Sequence, residues 1–202
     1  MDSTNTVLDI LISLIKGAQS QWSGLQCDYD GKHYTLWGCS YLLDQALRLY
    51  QIPDDHYLIS KEAKELWLKI TTKPIKNFNY QKPVTYEFVE PLVVNCYTGN
   101  GNNSTPKTLQ QGDTFPYRDV FHDDHVVPLK IIIEELVALK DPTYETVLPI
   151  LNKIYICRMI KHEDRDLKNK TARANNYLDV IHQLYQQRNM VIYNSETGIK
   201  ID

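Results

Sequence analysis

The sequence predicts an α+β fold, with helices set beside short antiparallel strands. Two observations carry this. Apolar residues recur at helical spacing near the start of the chain and again in its second half. The strand-like segments are short, and several are joined by tight turns instead of alternating regularly with helices. At 202 residues and 43% hydrophobic, the chain can bury a substantial core. One compact domain is the default expectation, and an N-terminal part ahead of a C-terminal one divides it at 1–110 and 111–202.

The elements follow in order. Ser3 or Thr4 can cap a first helix, in which Val7, Leu8, Leu11, Leu14 and Ile15 recur at helical spacing and Gly17 offers a stop. Gln26 to Tyr29 and His33 to Trp37 flank Asp30-Gly31, a pair that tolerates the positive φ angles of a type I′ hairpin turn. Ser40 begins a second helix with Leu42, Leu43, Ala46, Leu47 and Tyr50. Ser60 caps a third, with Ala63, Leu66, Trp67 and Ile70 turned inward. Leu92 to Tyr97 reads as a strand, and the polar run Thr98 to Pro106 reads as a surface loop.

The second half is more regular. Val120 to Val127 is expected to be a strand that stops at Pro128. Leu129 to Leu139 is a helix ended by Asp141-Pro142, and Thr143 caps a short helix to about Asn152. Ile154 to Ile160 is nearly all apolar, as a buried strand would be. Helices are expected from His162 to Arg173 and from Tyr177 to Arg188. A closing hairpin joins Met190–Tyr193 to Ile199–Ile201.

Composition narrows the function. A net charge of −3 weighs mildly against nucleic acid as a partner, because phosphate favours basic surfaces. Locally, however, Lys153, Arg158, Lys161, Arg165, Lys168, Lys170 and Arg173 outnumber the acids of the same stretch. The four cysteines form no CxxC pair, so neither a zinc ribbon nor a disulfide framework is expected. Val7 to Ile15 is too short to span a bilayer and lacks the flanks of a signal peptide, so a cytoplasmic, reducing compartment is the expectation.

Chemistry concentrates in Phe121 to Lys130, FHDDHVVPLK. On a strand, His122 and Asp124 share one face, with Asp123 and His125 on the other. A histidine beside a carboxylate can pair a general base with a ligand for a hard cation. The two histidines lie three apart, which fails the HExxH spacing of zinc proteases. His122-Asp123 could mimic the HD pair of metal phosphohydrolases, which lies on a helix.

The segment DDHVVPL resembles the (D/E)H(I/V)xP signature of HNH and related ββα-metal endonucleases. The resemblance spans roughly residues 114–173 and implies a ββα-metal nuclease core in the C-terminal half. By it, Asp124 is a metal ligand and His125 the general base, with one Mg²⁺ or Mn²⁺ at the site. The following helix would supply a further ligand, Asn169 first and Glu163 second. Arg165, or Arg158 on the strand, could stabilise charge on the scissile phosphate. Two features depart from the family pattern: two helices fill the stretch between the paired strands, and the middle asparagine has no clear counterpart, Asn152 being nearest. The expected partner is DNA, cut in restriction or defence, by a homodimer if both strands are cleaved. A nucleotide phosphohydrolase and a non-catalytic nucleic-acid-binding module are the alternatives. Because one histidine must be neutral, activity is expected to fall below about pH 6.

Overall fold

Apolar spacing and capping residues place most of the helices where the sequence puts them. The computed structural model describes residues 3–20, 25–29, 32–36, 39–75, 82–98, 103–167 and 174–202. Helix α1 (Ser3–Ser20) buries Leu8, Leu11, Ile15 and Ala18 on one stripe. It runs past the expected stop at Gly17. A glycine costs a helix only about 1 kcal/mol, and burial of Ala18 in the next position favours the extra turn. Strands β1 (Leu25–Tyr29) and β2 (Lys32–Leu36) pair antiparallel with Tyr29 opposite Lys32, while the Asp30-Gly31 turn lies outside the described residues. Helix α2 (Cys39–Leu49) buries Leu43 and Leu47.

Strand β3 (Tyr57–Ser60) leads directly into α3 (Lys61–Ile70), whose N-cap is Ser60: its Oγ accepts from the Ala63 N–H at 3.1 Å. Ser60→Ala is expected to cost about 1–2 kcal/mol, the usual worth of such a cap, read as a lowered midpoint in urea unfolding. Then come β4 (Pro83–Thr85), β5 (Leu92–Thr98), β6 (Asn103–Leu109), β7 (Thr114–Pro116) and the single turn α4 (Tyr117–Val120). The chain continues through β8 (Phe121–His125), α5 (Leu129–Val137), α6 (Tyr144–Leu151), β9 (Ile156–Ile160) and α7 (Lys161–Asp166). Helix α8 (Tyr177–Val180) runs on through a π-helical turn, Ile181–Tyr185, and a 3₁₀ turn, Gln186–Arg188, before β10 (Ile192–Asn194). The fold is α+β.

Contacts gather the chain into two compact units, each made from two stretches of sequence. The first comprises Met1–Ile52 and Val127–Ile154, and the second Pro53–Val126 and Tyr155–Asp202, so residue 110 falls inside the second. In the first unit α1, α2, α5 and α6 bury Leu11, Ile15, Leu43, Leu47, Ile132 and Leu136 together. The Gln19 side-chain amide donates to the carbonyls of Val137 at 3.1 Å and Leu139 at 2.6 Å, satisfying groups that the end of α5 leaves open.

The second unit is organised by a four-stranded sheet in the order β10-β3-β9-β8. Its strands are not all antiparallel, as the sequence suggested, because β3 and β9 run parallel. Parallel neighbours require a long crossover, and no local pattern announces one. Strand β3 itself went unforeseen: Leu58, Ile59 and Ser60 are all buried, so it lacks the alternation of a half-exposed strand. One face of the sheet packs Ile59 and Phe121 with Trp67 and Tyr117. The other packs Leu58, Cys157, Met159 and Ile192 with Ile181 and Tyr185.

The expected loop at Thr98 to Pro106 needs correction. Strand β6 takes up Asn103 to Leu109 and pairs with β5 from Leu92↔Leu109 to Thr98↔Asn103. Six of its seven residues are exposed, which removes the apolar periodicity that would have marked a strand.

Candidate metal centre

Strand β8 forms one edge of the four-stranded sheet and pairs with β9. The register sets His122 opposite Met159, Asp123 opposite Arg158 and Asp124 opposite Cys157. Alternation along the strand therefore sends His122 and Asp124 to the face that carries Met159 and Cys157, and Asp123 to the face of Arg158. Helix α7 follows β9 without a loop, its N-cap being Ile160, and this brings Asp164 to the same place.

His122, Asp124 and Asp164 each offer one ligand atom, and the three atoms lie within 4.8 Å of one another. His122 Nε2 is 3.7 Å from Asp164 Oδ1. All three residues are half-buried, so a cation entering from solvent could reach them. One imidazole nitrogen and two carboxylates make an oxygen-rich donor set suited to Mg²⁺ or Mn²⁺. Two carboxylates this close repel each other, and a cation between them relieves that repulsion.

Asp124 is thus in the cluster, joined by His122 and Asp164. The sequence expectation had named neither as a ligand, although it had set His122 and Asp124 on one face. His125 is half-buried at the end of β8, and alternation places it with Asp123, away from the three. Asn169 lies outside the described residues. Glu163 is not in the cluster. Its buried Oε2 accepts from Ser60 Oγ at 2.6 Å and from the Ile160 N–H at 2.9 Å, which ties the start of α7 to the end of β3. Burial pushes its carboxyl above the usual glutamate range, and the bonds from Ser60 and Ile160 oppose that rise. Arg165 is exposed on α7, next to Asp164.

Arg158, one of the basic residues between Lys153 and Arg173, does not face solvent. It is buried, its Nη1 donates to the Ile75 carbonyl at 2.6 Å, its Nε lies 3.7 Å from Asp123 Oδ1, and its guanidinium sits 4.8 Å from the Tyr57 ring centre. Asp123 also accepts from the Tyr117 hydroxyl at 2.6 Å. Burial, with the Asp123 charge adding to it, pushes the Tyr117 hydroxyl well above the usual tyrosine range, so it remains a donor. Asp123 is therefore occupied by internal partners on the face opposite the cluster. Lys153 is likewise paired, with Glu135 at 2.6 Å.

Tyr185 is the other residue that sequence reasoning missed. Its hydroxyl donates to Asp124 Oδ2 at 2.8 Å. The sequence places it on the helix expected from Tyr177 to Arg188, and nothing local pointed to the hydroxyl's partner.

Neither a protein-family model, nor a curated protein, nor a solved structure matches this chain. Among the described residues, no helix is long and apolar enough to cross a membrane.

Proposed function

We propose that this chain is a divalent-metal-dependent endonuclease of the HNH type, hydrolysing phosphodiester bonds in DNA. The observation that supports it is the His122, Asp124 and Asp164 cluster on consecutively packed β8, β9 and α7. Strand, strand and helix come in the order that the DDHVVPL resemblance implies. A bound Mg²⁺ or Mn²⁺ supplies Lewis-acid polarisation of a phosphoryl oxygen.

The chain's own groups divide the remaining work. His122, Asp124 and Asp164 would hold the ion. His125, next to Asp124 in sequence, is the general base by the resemblance alone, since strand alternation turns it to the Asp123 face and a base there must reach the attacking water around the end of β8. Exposed Arg165, adjacent to Asp164, offers positive charge to the scissile phosphate. The part of residues 1–110 outside the four-stranded sheet would contribute substrate recognition, a homodimer would suit two-strand cutting, and restriction or defence against foreign DNA is the setting such a nuclease fits. The HD-type phosphohydrolase reading is weaker, because His122-Asp123 stands on a strand and not a helix.

The test is plasmid cleavage by the full chain with Mn²⁺, Mg²⁺ or EDTA, alongside His125→Ala. Metal-dependent cutting that falls about a hundredfold or more in the variant, with Mn²⁺ affinity unchanged, is expected for loss of a general base. A variant as active as wild type would take the base role from His125. Failure of the wild type to cut any DNA with either metal would sink the nuclease reading itself.

A further inference from the structure

We infer that Tyr185 is a positioning residue for the metal centre, its hydroxyl holding the Asp124 carboxylate in the orientation that faces His122 and Asp164. This deepens the proposed function and rests on the cluster binding a divalent ion.

Three observations carry it. The Tyr185 hydroxyl donates to Asp124 Oδ2 at 2.8 Å, a normal length for an O–H bond to a carboxylate. Tyr185 is fully buried among Leu58, Val126, Cys157, Met159 and Ile181, so packing fixes its ring. Asp124 is only half-buried, and the last torsion of an aspartate is broad, so a fixed donor beside it selects among its orientations. A donor fixed by packing beside a ligand is how partners behind a metal centre set its geometry.

Local backbone geometry supports the same role. The helix leaves α geometry over Ile181–Tyr185 and forms a π-helical turn that ends on Tyr185 itself. The Met190 N–H then closes back on the Tyr185 carbonyl at 3.0 Å, and Asn189 adopts a left-handed conformation with φ of 59°. A π turn spends hydrogen-bond quality for a shift in side-chain direction, and such turns are frequent at functional sites. Here the side chain at its end is the one that reaches Asp124.

A purely structural tyrosine would serve as well without its hydroxyl, and that separates the two roles. Mn²⁺ binding to the full chain is measured by calorimetry for wild type, Tyr185→Phe, Asp124→Ala and the control Tyr155→Phe, which loses a hydroxyl elsewhere in the same unit. The visible absorption of the Co²⁺-loaded protein reports ligand geometry, and thermal unfolding reports the fold. Tyr185→Phe is expected to weaken Mn²⁺ binding about ten- to a hundredfold and to alter the Co²⁺ spectrum, while Tyr155→Phe matches wild type. Wild-type affinity and spectrum in Tyr185→Phe, with binding lost in Asp124→Ala, would overturn the inference and leave the metal centre standing. A Tyr185→Phe chain that no longer folds would assign the hydroxyl to stability and overturn it too. Absence of Mn²⁺ binding in wild type would remove the metal centre first, and the inference with it.

Discussion

Asp124→Ala is expected to abolish metal-dependent DNA cleavage and to weaken Mn²⁺ binding by more than about a hundredfold. Partners behind a ligand are commonly worth ten- to a hundredfold in affinity, so loss of a ligand itself should exceed the upper end of that range. Asp124 belongs to the three-residue cluster and is also the carboxylate to which Tyr185 donates. Removing it leaves His122 and Asp164, one imidazole and a single carboxylate, and takes away half of the carboxylate charge that attracts a hard ion. His122→Ala and Asp164→Ala should behave alike. The Asp124→Ala chain should still fold, at a cost of about 1–3 kcal/mol, because the edge-strand position leaves no large cavity but the buried Tyr185 hydroxyl loses this acceptor. Calorimetric titration decides: Mn²⁺ affinity equal to wild type would remove Asp124 from the centre, whatever the cleavage assay shows.

Glu163→Ala should instead destabilise the fold, by about 3 kcal/mol, and lower the melting temperature by roughly 6–12 °C. The carboxylate is buried and accepts from both Ser60 Oγ and the Ile160 N–H, so truncation strands two donors between β3 and α7. Glu163→Gln keeps an oxygen that can accept both bonds and carries no charge, and it should fold nearly as well as wild type. It should also bind Mn²⁺ normally, which a ligand role for Glu163 would not allow.

The pH dependence has a definite sign. Burial raises the Glu163 carboxyl in the folded state, so the folded chain holds this proton more tightly than the unfolded one. Stability from this group is fully present below the ordinary glutamate value, about 4.3, and is lost as pH rises through the folded value. In EDTA, wild type should therefore lose ground against Glu163→Gln as the pH is raised from 4 towards neutrality. A difference in melting temperature that stays constant over that range would contradict it.

Much of the fold was legible because local physics determines it. Periodic apolar residues marked α1, α2, α3 and α5, and Ser60 announced its helix by the chemistry of an N-cap. Strand β9 was visible as an apolar run. Strand β6 was not, since its exposed residues carry no hydrophobic signal and its pairing depends on β5. Strand β3 was hidden for the opposite reason, three of its four residues being buried so that no polar face alternates with an apolar one.

The same division runs through the site. By itself, the sequence determined that His122 and Asp124 share a face and Asp123 does not, because strand alternation is a property of the backbone. It also placed a polar helix directly after a buried strand. Only the tertiary structure decided that Asp164, not Glu163, joins the cluster, because two adjacent residues of one helix turn point apart and the sheet's packing selects which one meets β8. The same packing turned Arg158 inward to Asp123 and brought Tyr185 to Asp124 across 61 positions of chain, a contact no local pattern encodes.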